Sequence, residues 1–214
     1  KSLKSPESWF PLKVMICIDC GLVQTEDYTN AETLFDSNYA YFSGFSDSWL
    51  THSKNYVDLM ISKYGIKNNS LVIEVAANDG YLLQFFKKLG IPSYGIEPTA
   101  STAASAIEKG IDIIQEFFCE KLAKELSKRK GKADLMVANN VLAHVPDIND
   151  FVKGFSILLN DNGIVTFEFP HLLKLIEENQ FDTIYHEHFS YLSLNTINKI
   201  FLKNNLEIFD VEEL

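Results

Sequence analysis

An α/β architecture is predicted, a doubly wound and mostly parallel sheet with a small N-terminal extension. Three observations predict it. From Leu71 onward, short runs of branched and aromatic residues alternate with amphipathic stretches, the pattern of repeated strand–helix units. Glycine and proline punctuate the joints, at Gly90, Pro92 and Pro170. A chain of 214 residues with 46% hydrophobic content can close one sizeable core and carry an appendage.

The elements follow in order. Lys1 to Ser48 is rich in turn residues and aromatics, and Trp49 to Tyr64 reads as an amphipathic helix, so residues 1–48 form the extension and 49–214 the main domain. Leu71 to Val75 is the first strand. The helix Tyr81 to Leu89 is closed by Gly90 and Pro92, and Ser93 to Glu97 is the second strand. Thr99 is placed to cap a helix through Glu108, and Ile111 to Ile114 is a third strand. Glu120 to Lys130 is helical, and Asp134 to Asn139 is a fourth strand. In Asp147 to Leu159, residues Ile148, Phe151, Val152, Phe155, Leu158 and Leu159 recur at helical spacing. Asn162-Gly163 is read as a turn, and Ile164 to Phe169 as a strand stopped by Pro170. Leu172 to Glu178 is helical, Ser193 caps a helix to Lys203, and Leu206 to Val211 is expected as a last strand.

Composition narrows the function. A net charge of −10 argues against a broad grip on nucleic acid, which wants a basic face. No apolar run approaches the roughly 18 to 20 residues of a membrane span, and Lys1 to Phe10 lacks a secretory apolar stretch, so a cytoplasmic address is expected. The single arginine, Arg129, sits in the basic cluster Lys128 to Lys132 and reads as the solvated end of a helix. Three cysteines without a secretory signal are expected as reduced thiols.

In open parallel sheets, ligands bind beyond the carboxyl ends of the strands. Here the first loop, Glu74-Val-Ala-Ala-Asn-Asp-Gly80, is not the three-glycine fingerprint that admits a pyrophosphate. It holds Glu74, Asn78 and Asp79 with one glycine. An acidic loop repels a pyrophosphate and suits a ligand bearing an ammonium and a sulfonium, which favours S-adenosylmethionine over a nicotinamide. Glu97, ending the second strand, is placed to take ribose hydroxyls. Phe117, in Gln115-Glu-Phe-Phe118, borders the adenine in this reading, although two adjacent phenylalanines are more often plain core. Glu74 and Glu97 as ordinary strand-end carboxylates is the competing reading.

Four segments carry a family resemblance: Tyr39-Ala-Tyr-Phe-Ser-Gly-Phe-Ser-Asp-Ser-Trp-Leu50, Glu74-Val-Ala-Ala-Asn-Asp-Gly-Tyr-Leu-Leu83, Gly95-Ile-Glu-Pro-Thr99 and Tyr185-His-Glu-His-Phe-Ser-Tyr191. The chain resembles the sugar C-methyltransferases, which methylate C3 of a dTDP-linked 4-keto-6-deoxy sugar. That resemblance implies a Rossmann-like class I methyltransferase fold, S-adenosylmethionine as donor and a small nucleotide-sugar substrate, with no nucleic acid or membrane partner. The donor would meet Glu74, Ala76, Asn78, Asp79, Gly80, Glu97, Pro98, Phe117 and Asn139, with Tyr41 in a lid that also includes Tyr39, Phe42, Ser43 and Ser46. The oligomeric state is not legible.

The family is tripartite, and this chain is expected to carry only part of it. Pro11 to Gln24, with Cys17 and Cys20, is similar to the end of the family's zinc domain, and the first cysteine pair of that domain is missing. Tetrahedral structural zinc needs a second pair of ligands, so an incomplete site, or two free thiols, is expected. Cys119 lies on a different domain. The flanking C-terminal domain is also expected to be absent, in keeping with the single arginine.

Tyr185-His186-Glu187-His188 is the strongest catalytic candidate, a dense run of titratable groups on a loop. Methylating a carbon beside a ketone requires a base to form an enolate, and a histidine serves near neutral pH. By the resemblance His188 is the base, Glu187 orients or binds substrate, and Tyr185 contacts substrate. Asn140 and His144, after the fourth strand, line the substrate pocket and hydrogen-bond the keto oxygen, as the resemblance implies. Asn140 capping a turn with His144 on a helix face competes with that role, as does metal binding by His186 and His188. His52 and His171 have no persuasive partner. Two further hypotheses stand beside the C-methyltransferase: an O- or N-methyltransferase of the same fold, and a truncated donor-binding module without turnover.

Overall fold

A computed structural model describes residues 9–26, 28 and 41–214. Tyr39 of the expected lid lies outside them.

The main sheet is wholly parallel. Its strands are β3 (Val72–Val75), β4 (Ser93–Ile96), β5 (Ile113–Ile114), β6 (Ala133–Asn139) and β7 (Leu159–Glu168), in the order β5-β4-β3-β6-β7. The order reverses between β3 and β6, which makes the carboxyl ends of those two strands the switch point where a crevice opens. Helices α1 (Asp47–Tyr64), α2 (Leu83–Lys88), α3 (Ala100–Glu108), α4 (Glu120–Arg129), α5 (Ile148–Leu158), α6 (Leu172–Glu177) and α7 (Leu194–Lys203) complete the domain.

Alternation along the strands splits the core into two layers. Ile73, Val75, Met136 and Ala138 face one cluster with Leu122 and Leu126 of α4 and Phe151 and Phe155 of α5. Val72, Leu135 and Val137 face the other, with Val57 and Met60 of α1 and Leu83 and Phe86 of α2. Both faces of the sheet are therefore covered, as expected for strands that read as near-continuous apolar runs. Close packing also explains Gly95: a Cβ there would lie 2.5 Å from the Ala77 Cβ and 2.7 Å from the Ile113 Cδ1.

Helix ends follow local chemistry. Ser46 caps α1 by accepting from the Trp49 amide, Asp147 caps α5 by accepting from Asn149 and Asp150, and Ser193 caps α7 by accepting from Thr196. Thr99 stands at the N-cap of α3 without a side-chain cap bond. Its amide instead donates to Glu97 Oε1 at 2.9 Å.

Two expectations are corrected. Leu206 to Val211 forms no strand. Leu206 and Ile208 pack on the larger core cluster, Phe209 meets Tyr64 edge-on, and Asp210 pairs with Lys63 at 2.7 Å. The alternation records burial against helices, which needs no ladder partner. Asn162-Gly163 lies inside β7, which leaves α5 directly. The pairing there is irregular, passing from Ala133↔Leu159 to Leu135↔Ile164. Gly163 is needed for close approach, since a Cβ would sit 2.7 Å from the Ala133 carbonyl oxygen.

The extension does not stand apart. Strands β1 (Val14–Ile16) and β2 (Val23–Thr25) form an antiparallel hairpin, and β2 pairs with β8 (Ser190–Tyr191), directly after the Tyr185–His188 run. No helix among the described residues is long and apolar enough to cross a membrane.

Candidate functional site

A cavity of about 1090 Å³ opens at the carboxyl edge of the sheet, large even for a small-molecule site. It runs from the end of β4 to the loop before β8. Of the expected donor residues, Tyr41, Ala76, Asn78, Glu97, Pro98, Phe117 and Asn139 line it, and so do all five expected catalytic residues, Asn140, His144, Tyr185, Glu187 and His188. Glu97, Asp147, Asp150 and Glu187 are on its wall, and no lysine or arginine is among the described residues there.

Glu74, Asp79 and Gly80 lie behind that wall. Glu74 is fully buried on the face covered by α1 and α2, and neither carboxylate oxygen has a hydrogen-bond partner of ordinary geometry. Burial pushes its pKa well above the usual carboxylate range; the Tyr81 hydroxyl opposes that rise, while Glu97 and Asp79 add to it. Asp79 is held by Lys109 at 2.8 Å and accepts from the Gly44 amide at 3.1 Å. Gly80 has φ +74°, and a Cβ on it would meet Ile111 at 2.9 Å. These residues shape the loop from behind.

Asn78 latches the segment that leads into α1. In a left-handed conformation at φ 48°, it accepts from the Ser43 amide at 3.0 Å and donates to the Tyr41 carbonyl at 3.1 Å. Tyr41 and Ser43 are thereby drawn over the cavity. The Asn78 amide donates to Glu97 Oε2 at 2.9 Å. With one such donor on each oxygen, the Glu97 carboxylate keeps lone pairs for a ligand's hydroxyls.

At the far end, two imidazoles meet edge to face, with ring centroids 4.6 Å apart. His188 Nδ1 donates to the Thr183 carbonyl at 2.7 Å, so its Nε2 carries the lone pair and accepts from the Tyr185 hydroxyl at 3.1 Å. His144, on the single turn Leu142–His144, donates from Nδ1 to the Glu187 carbonyl at 3.0 Å. Burial holds His188 below the ordinary histidine range. Burial, and then the neighbouring His188, press His144 down to about 4. Both rings are neutral near pH 7. Burial raises Tyr185 and Glu187 above their usual ranges. Asn140, at φ 51°, is held by its amide donating to the Glu168 carbonyl at 2.7 Å.

His186 turns away from the cavity, donating to the Pro11 carbonyl at 3.0 Å, so the His186–His188 pair forms no metal site. His52 and His171, expected to lack partners, have them. His52 binds Glu168 at 2.9 Å and stacks on Trp49, and His171 accepts from the Leu194 amide at 3.1 Å. Trp49 and Tyr81 also line the cavity and pack together at 5.9 Å. Sequence reading missed both as site residues. Both carried a usable signal: Tyr81 directly follows the Glu74–Gly80 loop, and Trp49 lies in the Tyr39–Leu50 segment that holds the lid residues.

Cys17 and Cys20 occupy a tight turn closed by Gly21 N to Cys17 O at 2.9 Å and Cys17 N to Leu22 O at 2.8 Å. Backbone amides of Cys20, then Asp19, lower the Cys17 thiol pKa. The turn fits one half of a tetrahedral thiolate site. Among the described residues no cluster of three or more His, Cys, Asp or Glu could hold a metal ion.

Comparison with known proteins agrees with this geometry. A family described as "Methyltransferase domain" matches residues 53–211, and one described as "Putative zinc binding domain" matches residues 1–35. The C-methyltransferase NovU of Streptomyces niveus is 34% identical over 205 residues, covering 96% of this chain and 49% of that protein. The chain thus spans about half the length of the curated relative it matches. Magnesium protoporphyrin IX methyltransferase from Synechocystis PCC 6803, with bound SAH, superposes with a TM-score of 0.57 at 14% identity, over 75% of this chain and 74% of that one. A SAM-dependent methyltransferase from Archaeoglobus fulgidus superposes with a TM-score of 0.54 at 15% identity, over 74% of each chain. These structures share the Rossmann-like fold of class I methyltransferases. A parallel sheet in this strand order, the cavity at its switch point and the match over most of its length place the chain in the methyltransferase domain family.

Proposed function

We propose that the chain is the donor-binding and catalytic part of an S-adenosylmethionine-dependent C-methyltransferase acting on a nucleotide-linked keto-deoxysugar. One observation carries the reading: a single cavity joins Glu97 at one end to His188 and His144 at the other, walled by carboxylates and without a lysine or arginine among the described residues. Such a wall attracts a sulfonium and an ammonium. Glu97 would hold the ribose hydroxyls, Phe117 and Pro98 would border the base, and Asn78, Ala76 and Asn139 would meet the rest of the donor. Glu74, Asp79 and Gly80 support that loop from behind. S-adenosylmethionine, when bound, supplies an electrophilic methyl group with a neutral thioether as its leaving group.

The substrate end follows from the imidazoles. His188 Nε2 takes the proton from the carbon beside the ketone, and the C–H electron pair moves onto the keto oxygen as an enolate. The tautomer is right for this task, because Nδ1–H is committed to Thr183. Asn140 stabilises the charge growing on that oxygen, while neutral His144, its N–H donated to the Glu187 carbonyl, packs edge to face on His188, and the Tyr185 hydroxyl holds Nε2 until the substrate C–H takes its place. Glu187 contacts the sugar. Without a lysine or arginine among the described residues of its wall to clamp a diphosphate, in this reading the cavity takes the sugar ring and the diphosphate stays outside. The similarity to NovU, a C-methyltransferase, supports carbon as the acceptor. The Cys17–Cys20 turn would supply half of a zinc site in the extension.

The test is solvent exchange in D2O with a dTDP-4-keto-6-deoxy sugar. Deuterium entering beside the ketone, dependent on His188 and followed by labelled methyl on that carbon when the donor is added, is the outcome this proposal requires. A methyl on oxygen or nitrogen without exchange would assign the alternative chemistry. Donor binding without any transfer would leave a binding module.

A further inference from the structure

The extension reaches the proposed base through one residue, and the inference rests on the reading of His188 just given. Thr25 ends β2 and is buried. Its Oγ1 donates to the His188 carbonyl at 2.9 Å, and its amide donates to the Phe189 carbonyl at 3.1 Å. Immediately beyond, Gln24 pairs with Ser190 and Val23 with Tyr191. On the opposite side, the Phe189 amide donates to the Ala143 carbonyl at 2.8 Å, from the same turn that carries His144. The backbone at His188 and Phe189 is thus gripped from two directions, one of them 163 residues away in sequence.

We infer that Thr25 is a positioning residue for the reaction, setting where the His188 imidazole stands relative to His144 by tethering the His188 carbonyl from the N-terminal hairpin. The physical case is simple. Thr183 fixes the ring's rotation and tautomer through Nδ1, but ring position follows the backbone, and the backbone carbonyl is what Thr25 holds. The hairpin is itself braced, by the closed Cys17–Leu22 turn and by Lys199 of α7 donating to the Cys20 carbonyl at 3.1 Å. A displacement of about 1 Å at a reacting group can cost up to about 100-fold in rate. Both of these Thr25 hydrogen bonds go to the His188–Phe189 backbone and neither to β4 or the Glu74–Gly80 loop, on which the donor end of the cavity is built.

The experiment uses the full chain with Thr25→Val, which keeps the shape and removes the donor, and Thr25→Ser, which keeps the donor. Thr25→Ala is read identically should the valine variant not fold. The tether predicts that S-adenosylhomocysteine affinity stays within about twofold in all variants, since distant sites do not couple. It predicts that kcat with a dTDP-4-keto-6-deoxy sugar falls about tenfold in Thr25→Val with the donor KM unchanged, and recovers in Thr25→Ser. An unchanged kcat in Thr25→Val, or an equal loss in Thr25→Ser, overturns it. Should the unaltered protein not turn over this sugar, the substrate reading fails by itself, and imidazole 15N spectra decide the tether. A His188 resonance that moves in Thr25→Val and returns in Thr25→Ser supports the tether, and a resonance identical in all variants overturns it.

Discussion

His188 and His144 are neutral for the same reason: each is buried, and burial penalises an imidazolium. For His188 this has a kinetic consequence. The proposed base, held below the ordinary histidine range by burial, is already deprotonated at neutral pH, so kcat should stay flat from pH 8 to 7 and fall only on acidification below that range. His188→Gln should lower the rate by about 10² to 10⁴ and abolish solvent exchange, with S-adenosylhomocysteine affinity intact by calorimetry. Retained exchange in that variant would assign the base elsewhere. For His144 the consequence is thermodynamic. Its folded value of about 4 lies below its ordinary 6.5, so between those values the unfolded chain binds the proton and the folded one does not. Stability from this residue is complete above about pH 6.5 and is lost as pH falls through about 4. Thermal melts across that window should slope less in His144→Gln than in the unaltered chain; parallel slopes would show that the ring titrates normally. That Tyr185, Glu187 and His188 reach the cavity was legible because titratable residues that dense on a loop seldom serve packing. Thr25 was not, since nothing local to a short strand announces a partner on the far side of the molecule.

The elements were legible where apolar periodicity is strong, as in α1 and α5, and where a cap was read as well, as at Ser193 of α7; the caps Ser46 and Asp147 were not read, and Thr99 makes no side-chain cap bond. They were illegible where burial occurs without pairing, as at Leu206 and Ile208, or where a turn signal serves a close approach, as at Gly163. Two substitutions test the element-level packing. Ser46→Ala removes the bond to the Trp49 amide and should cost about 1 kcal/mol by chemical denaturation, while an unchanged midpoint would mean that the cap contributes nothing. Gly95→Ala places a methyl against Ala77 and Ile113 and should cost about 1 to 3 kcal/mol. Because Ala77 adjoins Asn78, whose amide is fixed by Glu97, the same variant should weaken donor binding. Full stability with full affinity in Gly95→Ala would show that the loop yields freely.

At the scale of the molecule, one feature of the sequence carried the fold, the alternation that covers both faces of the sheet; the strand count was over-read by one at Leu206 to Val211, and the order that leaves a switch point at β3 and β6 is set by tertiary pairing. The acidic character of the first loop was read correctly as composition, yet Glu74 and Asp79 point behind the wall, one into the α1–α2 face and one to Lys109. Strand alternation sends Glu74 to the same face as Val72, and the cavity's charge instead comes from Glu97, Asp147, Asp150 and Glu187, on three separate segments. No window of sequence could assemble that set. A crystal structure with S-adenosylhomocysteine bound decides whether donor and base share this cavity: ribose hydroxyls on Glu97 and the sulfur facing His188 are the arrangement required here. A ligand seated outside the cavity, or a sulfur turned away from that imidazole, would remove the proposed mechanism.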